Sequence, residues 1–213
     1  MYAVPPTPDT YGKTEAIIGN WFASRNNREK VILASKIAGP GLKWIRGGDY
    51  TIDRKNILAA LEDSLTRLKT DYIDLYQLHW PNRGSYHFGQ VWGYAPDFDK
   101  QAVEDNFIEV LETLQGLIKE GKIRHVGLSN ETAWGTSKWL ELAEKHNLPR
   151  MASIQNEYSL IATHLEPDLN EILTHETISL LTRLASTRGM VRCKFLNGSI
   201  QDGTRTSSVL LHN

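Results

Sequence analysis

Four apolar runs of strand length, each closing on a residue able to do chemistry, set the pattern of this chain. Val31 to Lys36, Tyr72 to His79, Ile123 to Asn130 and Met151 to Gln155 are each followed by a loop and then by a segment of helical periodicity. Ile178 to Leu181 starts a fifth run. Strands that read as nearly continuous apolar stretches, alternating with amphipathic helices, predict a parallel α/β protein. In such folds the functional groups gather at the carboxyl ends of the strands.

The helical segments are predicted by spacing and caps. Lys13 to Arg25 places Ile17, Ile18, Trp21 and Phe22 at helical intervals and stops at Asn26-Asn27. Asp53 is a natural N-cap for a helix striped by Ile57, Leu58, Leu61, Leu65 and Leu68. A third helix carries Phe107, Val110, Leu111, Leu114, Leu117 and Ile118 and ends at Gly121. Two more are expected over Thr136 to His146 and near Glu166 to Thr174. Between them lie two long loops, the Gly/Pro-rich 37–50 with Trp44 and Arg46, and the aromatic-rich 80–100.

This alternation has no internal repeat or linker, so residues 1–213 read as one domain. A closed barrel needs eight strands and about 250 residues. The chain therefore reads as an incomplete TIM-type (β/α)8 barrel, lacking its first strands and its last strand–helix units, with 182–213 as a divergent tail.

Composition narrows the function classes. A chain of 213 residues with 40% hydrophobic content and net charge -1 is suited to a single core and carries no charge excess to draw it to nucleic acid or to an anionic membrane. No run of about 18 apolar residues and no leader pattern is present, and Cys193 stands alone, which together predict a cytoplasmic protein without disulfides. Asn130-Glu131-Thr132 and Asn197-Gly198-Ser199 match the glycosylation pattern by coincidence on that reading. Gly39-Pro40-Gly41 does not complete a dinucleotide fingerprint, and there is no phosphate-cradling Walker sequence. His79, His87 and His125 lack ligand spacing, so no metal site is expected.

Taken singly, Lys36 reads as a solvated charge and His79 as a packed, hydrogen-bonded side chain, while Asn130 and Gln155 read as loop caps. A resemblance changes that balance. The runs Leu75-Tyr76-Gln77-Leu78-His79-Trp80-Pro81, Gly121-Lys122-Ile123-Arg124-His125-Val126-Gly127-Leu128-Ser129-Asn130 and Gln155-Asn156-Glu157-Tyr158-Ser159 occur in the order found in the aldo-keto reductases. With the Val-Pro-Pro start, the likeness runs from Tyr2 to about Leu181 and returns at Lys194.

The resemblance implies a βα-barrel that moves hydride between NADPH and the carbonyl group of a small molecule. It implies catalytic roles for Tyr2, Lys36 and His79, and carboxamide binding at Ser129, Asn130 and Gln155. A positioned phenol can protonate the alkoxide that hydride transfer creates, and a neighbouring ammonium eases that exchange. The chain also departs from the pattern. The family's catalytic aspartate falls five residues before Tyr2, upstream of Met1, and the family's nicotinamide-stacking tyrosine is Arg183. A second reading is therefore a catalytically inactive remnant or a regulatory or interaction module on the same fold.

Overall fold

The computed structural model describes residues 7–185. Five strands form one parallel sheet in sequence order: β1 (Ala34–Ile37), β2 (Ile73–Leu78), β3 (Ile123–Ser129), β4 (Ser153–Glu157) and β5 (Ser179–Arg183). The helices α1 (Lys13–Arg25), α2 (Arg54–Leu68), α3 (Lys100–Lys119), α4 (Ala133–Lys145) and α5 (Leu169–His175) alternate with them. Each crossover from strand to parallel strand runs through a helix, as parallel pairing demands.

Local chemistry sets the helix ends. The Asp53 carboxylate accepts from the Asn56 amide at 2.8 Å and starts α2, as expected, and Asp99 does the same for α3 by accepting from Ala102 at 3.1 Å. After α3, Gly121 at φ 74 turns the chain left-handed, and the Lys122 amide closes back onto Leu117 O at 3.0 Å. Thr132 caps α4 by accepting from the Gly135 amide. That helix begins at Ala133, ahead of the expected Thr136, because Gly135 in its first turn hides the start from propensity.

Side-chain alternation divides the sheet into two faces. Ile37, Tyr76, Leu78, Val126, Leu128 and Ile154 lie in the core that the helices cover. The register puts Lys36 beside Gln77, Gln77 beside Gly127, Ser129 beside Gln155 and Gln155 beside Leu181 on the opposite face. Polar and small residues therefore collect on the side away from the helices. At the amino ends of the strands, Asp74 accepts from the Leu33 amide, Arg28 and Arg124 and braces β1 to β3.

Three expectations fail. In α1 the buried face is Glu15, Gly19 and Phe22, while Ile17 is 69% and Trp21 44% exposed. Gly19 lies against α2, where a Cβ would sit 2.2 Å from Arg67 O, and Glu15 meets Arg67 with 2.8 Å between Oε2 and Nε. Close backbone approach and a buried ion pair, rather than apolar stripes, thus decide which face turns inward. Strand β4 also extends beyond the expected Met151 to Gln155, so Gln155 lies within the strand and not at its end. Leu58 points outward from α2 at 42% exposure.

Replacing the fully buried Leu114 by Ala should lower stability by about 2–5 kcal/mol. Ile17→Ala, at an exposed site, should change it by less than about 0.5 kcal/mol. Urea unfolding of the two variants checks both values; equal losses would contradict the assignment of the α1 face.

Candidate active site

The residues singled out by sequence converge where β1 to β5 end, apart from Tyr2, which lies outside the described residues. Lys36 is half-buried on the sheet face away from the helices, and its ammonium has no hydrogen bond or ion pair among the described residues. Burial, and then the positive charge of Arg183, push its pKa down to about 8. His79 follows β2 and packs its ring on Trp80 with 4.4 Å between centroids. Loss of hydration, followed by the Lys36 charge, pushes His79 down to about 3, so its imidazole is neutral at physiological pH.

Asn130, immediately after β3, is fully buried and left-handed at φ 51. Its amide Nδ2 donates to His79 O at 2.8 Å and to Ser129 Oγ at 3.1 Å, and its backbone amide donates to Gln155 O at 3.0 Å. Its Oδ1 accepts from Arg183 Nη2 at 2.9 Å. Ser129 Oγ donates to Gln155 O at 2.8 Å. The Gln155 side-chain amide, by contrast, makes no hydrogen bond among the described residues. One end of the sheet thus holds a low-pKa amine, a neutral imidazole, an uncommitted amide and a guanidinium.

Arg183 comes from β5 and adds to this charge pattern. Besides Asn130 it reaches Glu157 Oε2 at 3.5 Å and lies 5.3 Å from the Phe88 ring centre. Phe88 packs edge-on to Trp80 at 5.7 Å. His87, buried in the same loop, is also held down to about 3, by burial and then by the charge of Arg183.

Comparison with known proteins bears directly on this geometry. The family model described as the aldo/keto reductase family matches residues 7–209, nearly the whole chain. The chain belongs to that family. The tas protein of Escherichia coli is 45% identical over 209 residues, covering 97% of this chain and 60% of that protein. An aldo-keto reductase of Babesia bovis is 41% identical over 144 residues, 62% of this chain and 48% of that one. The solved holo form of an aldo-keto reductase from Bacillus halodurans superposes with a TM-score of 0.66 at 26% identity, over 94% of this chain and 58% of that one.

The chain therefore spans about 60% of the length of the tas protein and 48% of that of the Babesia bovis protein. Its five strands are consecutive units of the aldo/keto reductase barrel, and the described residues form an incomplete barrel, as the strand count predicted. The family match also runs through the tail after Thr182, where the motif likeness is interrupted.

Sequence reasoning missed a network that supports this end of the sheet from behind. Arg83, in the long loop, forms a two-armed ion pair with Glu131, and both side chains are almost wholly buried. Glu131 also accepts from the Thr132 amide and from Trp139 Nε1, while Asn156 clasps the Glu131 backbone, donating at 2.9 Å and accepting at 3.2 Å. Gly135 makes room for the pair, since a Cβ there would fall 2.2 Å from both Arg83 Nη2 and Glu131 Oε1. The available signal was Glu131, an acid within an otherwise uncharged run after an apolar strand. Its partner lies 48 residues earlier in a loop that no periodicity could align.

Removing Glu131 strands a buried guanidinium, so Glu131→Ala should cost about 3–5 kcal/mol in urea unfolding. A separate expectation concerns pH. Both His79 and His87 titrate near 3 when folded against 6.5 when unfolded, so the unfolded chain binds more protons between those values. Their contribution is fully present above pH 6.5 and is lost as pH falls toward 3. Replacing both by Gln should flatten the stability profile between pH 6.5 and about 4.5, above the main carboxylate range; an unchanged slope there would contradict the burial of the two imidazoles.

Proposed function

We propose that this chain carries the site of an NADPH-dependent reductase that acts on small aldehydes or ketones. The observation supporting the reading is that Lys36 of β1, His79 after β2 and Gln155 of β4 lie on the same sheet face, the one that the helices leave uncovered. The residue types suit the cofactor. The uncommitted Gln155 amide has both a donor and an acceptor for a carboxamide, whereas Asn130 can offer its Oδ1 only if Arg183 lets go. A reduced nicotinamide, when bound, supplies the hydride.

The remaining work falls to the chain's own groups. His79, neutral, donates one ring N–H toward a carbonyl oxygen and orients it. Tyr2 is the proton donor in this reading, carried over from the family pattern. The Lys36 ammonium favours the phenolate and so makes the phenol a better acid. Because Lys36 titrates at about 8, its assistance is strongest below that pH and fades above it.

The second reading, a non-catalytic module, is favoured by one contact. Arg183 occupies the Asn130 oxygen, and with Nδ2 already bonded to His79 and Ser129 every polar atom of that side chain is engaged. The two readings separate experimentally. In the reductase reading, the purified chain oxidises NADPH in the presence of an aldehyde, Tyr2→Phe and Lys36→Met lower the rate by at least about a hundredfold, and cofactor affinity changes little. The rate also declines as pH rises through about 8. Absent turnover, with cofactor binding that Arg183→Tyr strengthens about tenfold, would instead support the module reading.

A further inference from the structure

A cavity of about 490 Å3 lies outside the Lys36–His79 site, between the long loop, the start of α4 and the segment leading into α5. Its walls include the rings of Tyr86, Tyr94, Phe98 and Trp134, with Asp168 and Lys100 among the charged residues at its edge. Neither Lys36, His79 nor Gln155 lines it.

The rings stand at angles to one another, as in a box. Phe98 and Trp134 are 5.3 Å apart and inclined by 46°, and Tyr86 and Tyr94 are 6.4 Å apart at 69°. His87 stacks on Tyr86, and the Arg83 guanidinium lies 5.7 and 5.0 Å from the Phe98 and Trp134 ring centres, so a ligand meets what those contacts leave of four rings lining one cavity. Several aromatic rings around one space suit a cation whose charge is spread over methyl groups. We propose that this cavity binds a methylated organic ammonium ion of the choline type.

Charge favours a cation over a neutral ring. The carboxylate of Asp168 has no ion pair among the described residues. The phenol of Tyr86 is pushed up first by burial and then by the charges of Glu131 and Asp168, of which Asp168 is the one without an ion pair among the described residues. The opposing cations are both engaged. Lys100 Nζ lies 3.7 Å from Glu104 Oε1, and Arg83, behind Phe98 and Trp134, is paired with Glu131. A primary ammonium would require three hydrogen-bond acceptors in place of its water, and a wall of rings supplies few of them. Methylated nitrogen has no such requirement.

Calorimetric titration of the full chain with choline, and with its neutral tert-butyl isostere, tests the assignment. Choline is expected to bind at least about tenfold more tightly than the isostere. Trp134→Leu and Asp168→Asn should each weaken choline severalfold, and Trp92→Leu, at a site 98% exposed outside the cavity lining, should not. Urea midpoints confirm that the variants fold; the two cavity positions are exposed enough to accept the changes. Equal affinity for the isostere, tighter binding of phenol than of choline, indifference to both cavity substitutions, or no choline binding would each overturn the proposal.

Discussion

The carboxyl end of the sheet depends on one buried amide. Asn130 joins β3 to the residue after β2 through His79 O, to β4 through Gln155 O and to β5 through Arg183. A left-handed backbone at φ 51 lets a single residue make these bonds, a conformation that asparagine tolerates better than most side chains. Strand ends in a parallel sheet otherwise diverge into separate loops. Here four of them are tied within hydrogen-bond distance of one residue, which places His79 and Gln155 in fixed relation.

Behind that end, the support is electrostatic and dry. Arg83 and Glu131 are buried together, surrounded by Phe98, Phe107, Trp134 and Trp139. A pair so placed adds little net stability compared with apolar packing, yet it is costly to break, so it restricts the loop to one arrangement. Toward the other edge, Glu15 accepts from Ser35 and Arg67 and ties α1 and α2 to the strand carrying Lys36. Polar contacts thus connect elements that apolar burial alone would leave free to slide.

Most of the fold could be read from the chain because parallel strands are buried on both sides and stand out as apolar runs. Capping chemistry at Asp53 and Gly121 fixed two helix ends equally well. The limits were physical. Strand β4 carries buried Asn156 past Gln155, and a polar residue bonded to the Glu131 backbone looks in sequence like the beginning of a loop. Helix α1 turns Ile17 and Trp21 outward, with Phe22 inward, because a glycine and an acid make the closest contacts. At the site, Lys36, His79 and Asn130 were visible as strand-end residues. Arg183 was visible only as a departure from a pattern, and its reach back to Asn130 spans 53 residues of sequence.

The glycine at position 19 has a consequence for the outer surface of the molecule. With the backbone of Arg67 and Leu68 filling the space where a side chain would be, α1 is prevented from turning about its own axis. A rotation of about 100°, one residue's worth, would bring a larger neighbour against that backbone. The helix is keyed, and Ile17 and Trp21 are held facing outward by a contact on the opposite side. An oily strip on this protein is thus set by the absence of a single carbon atom on the helix face it does not share.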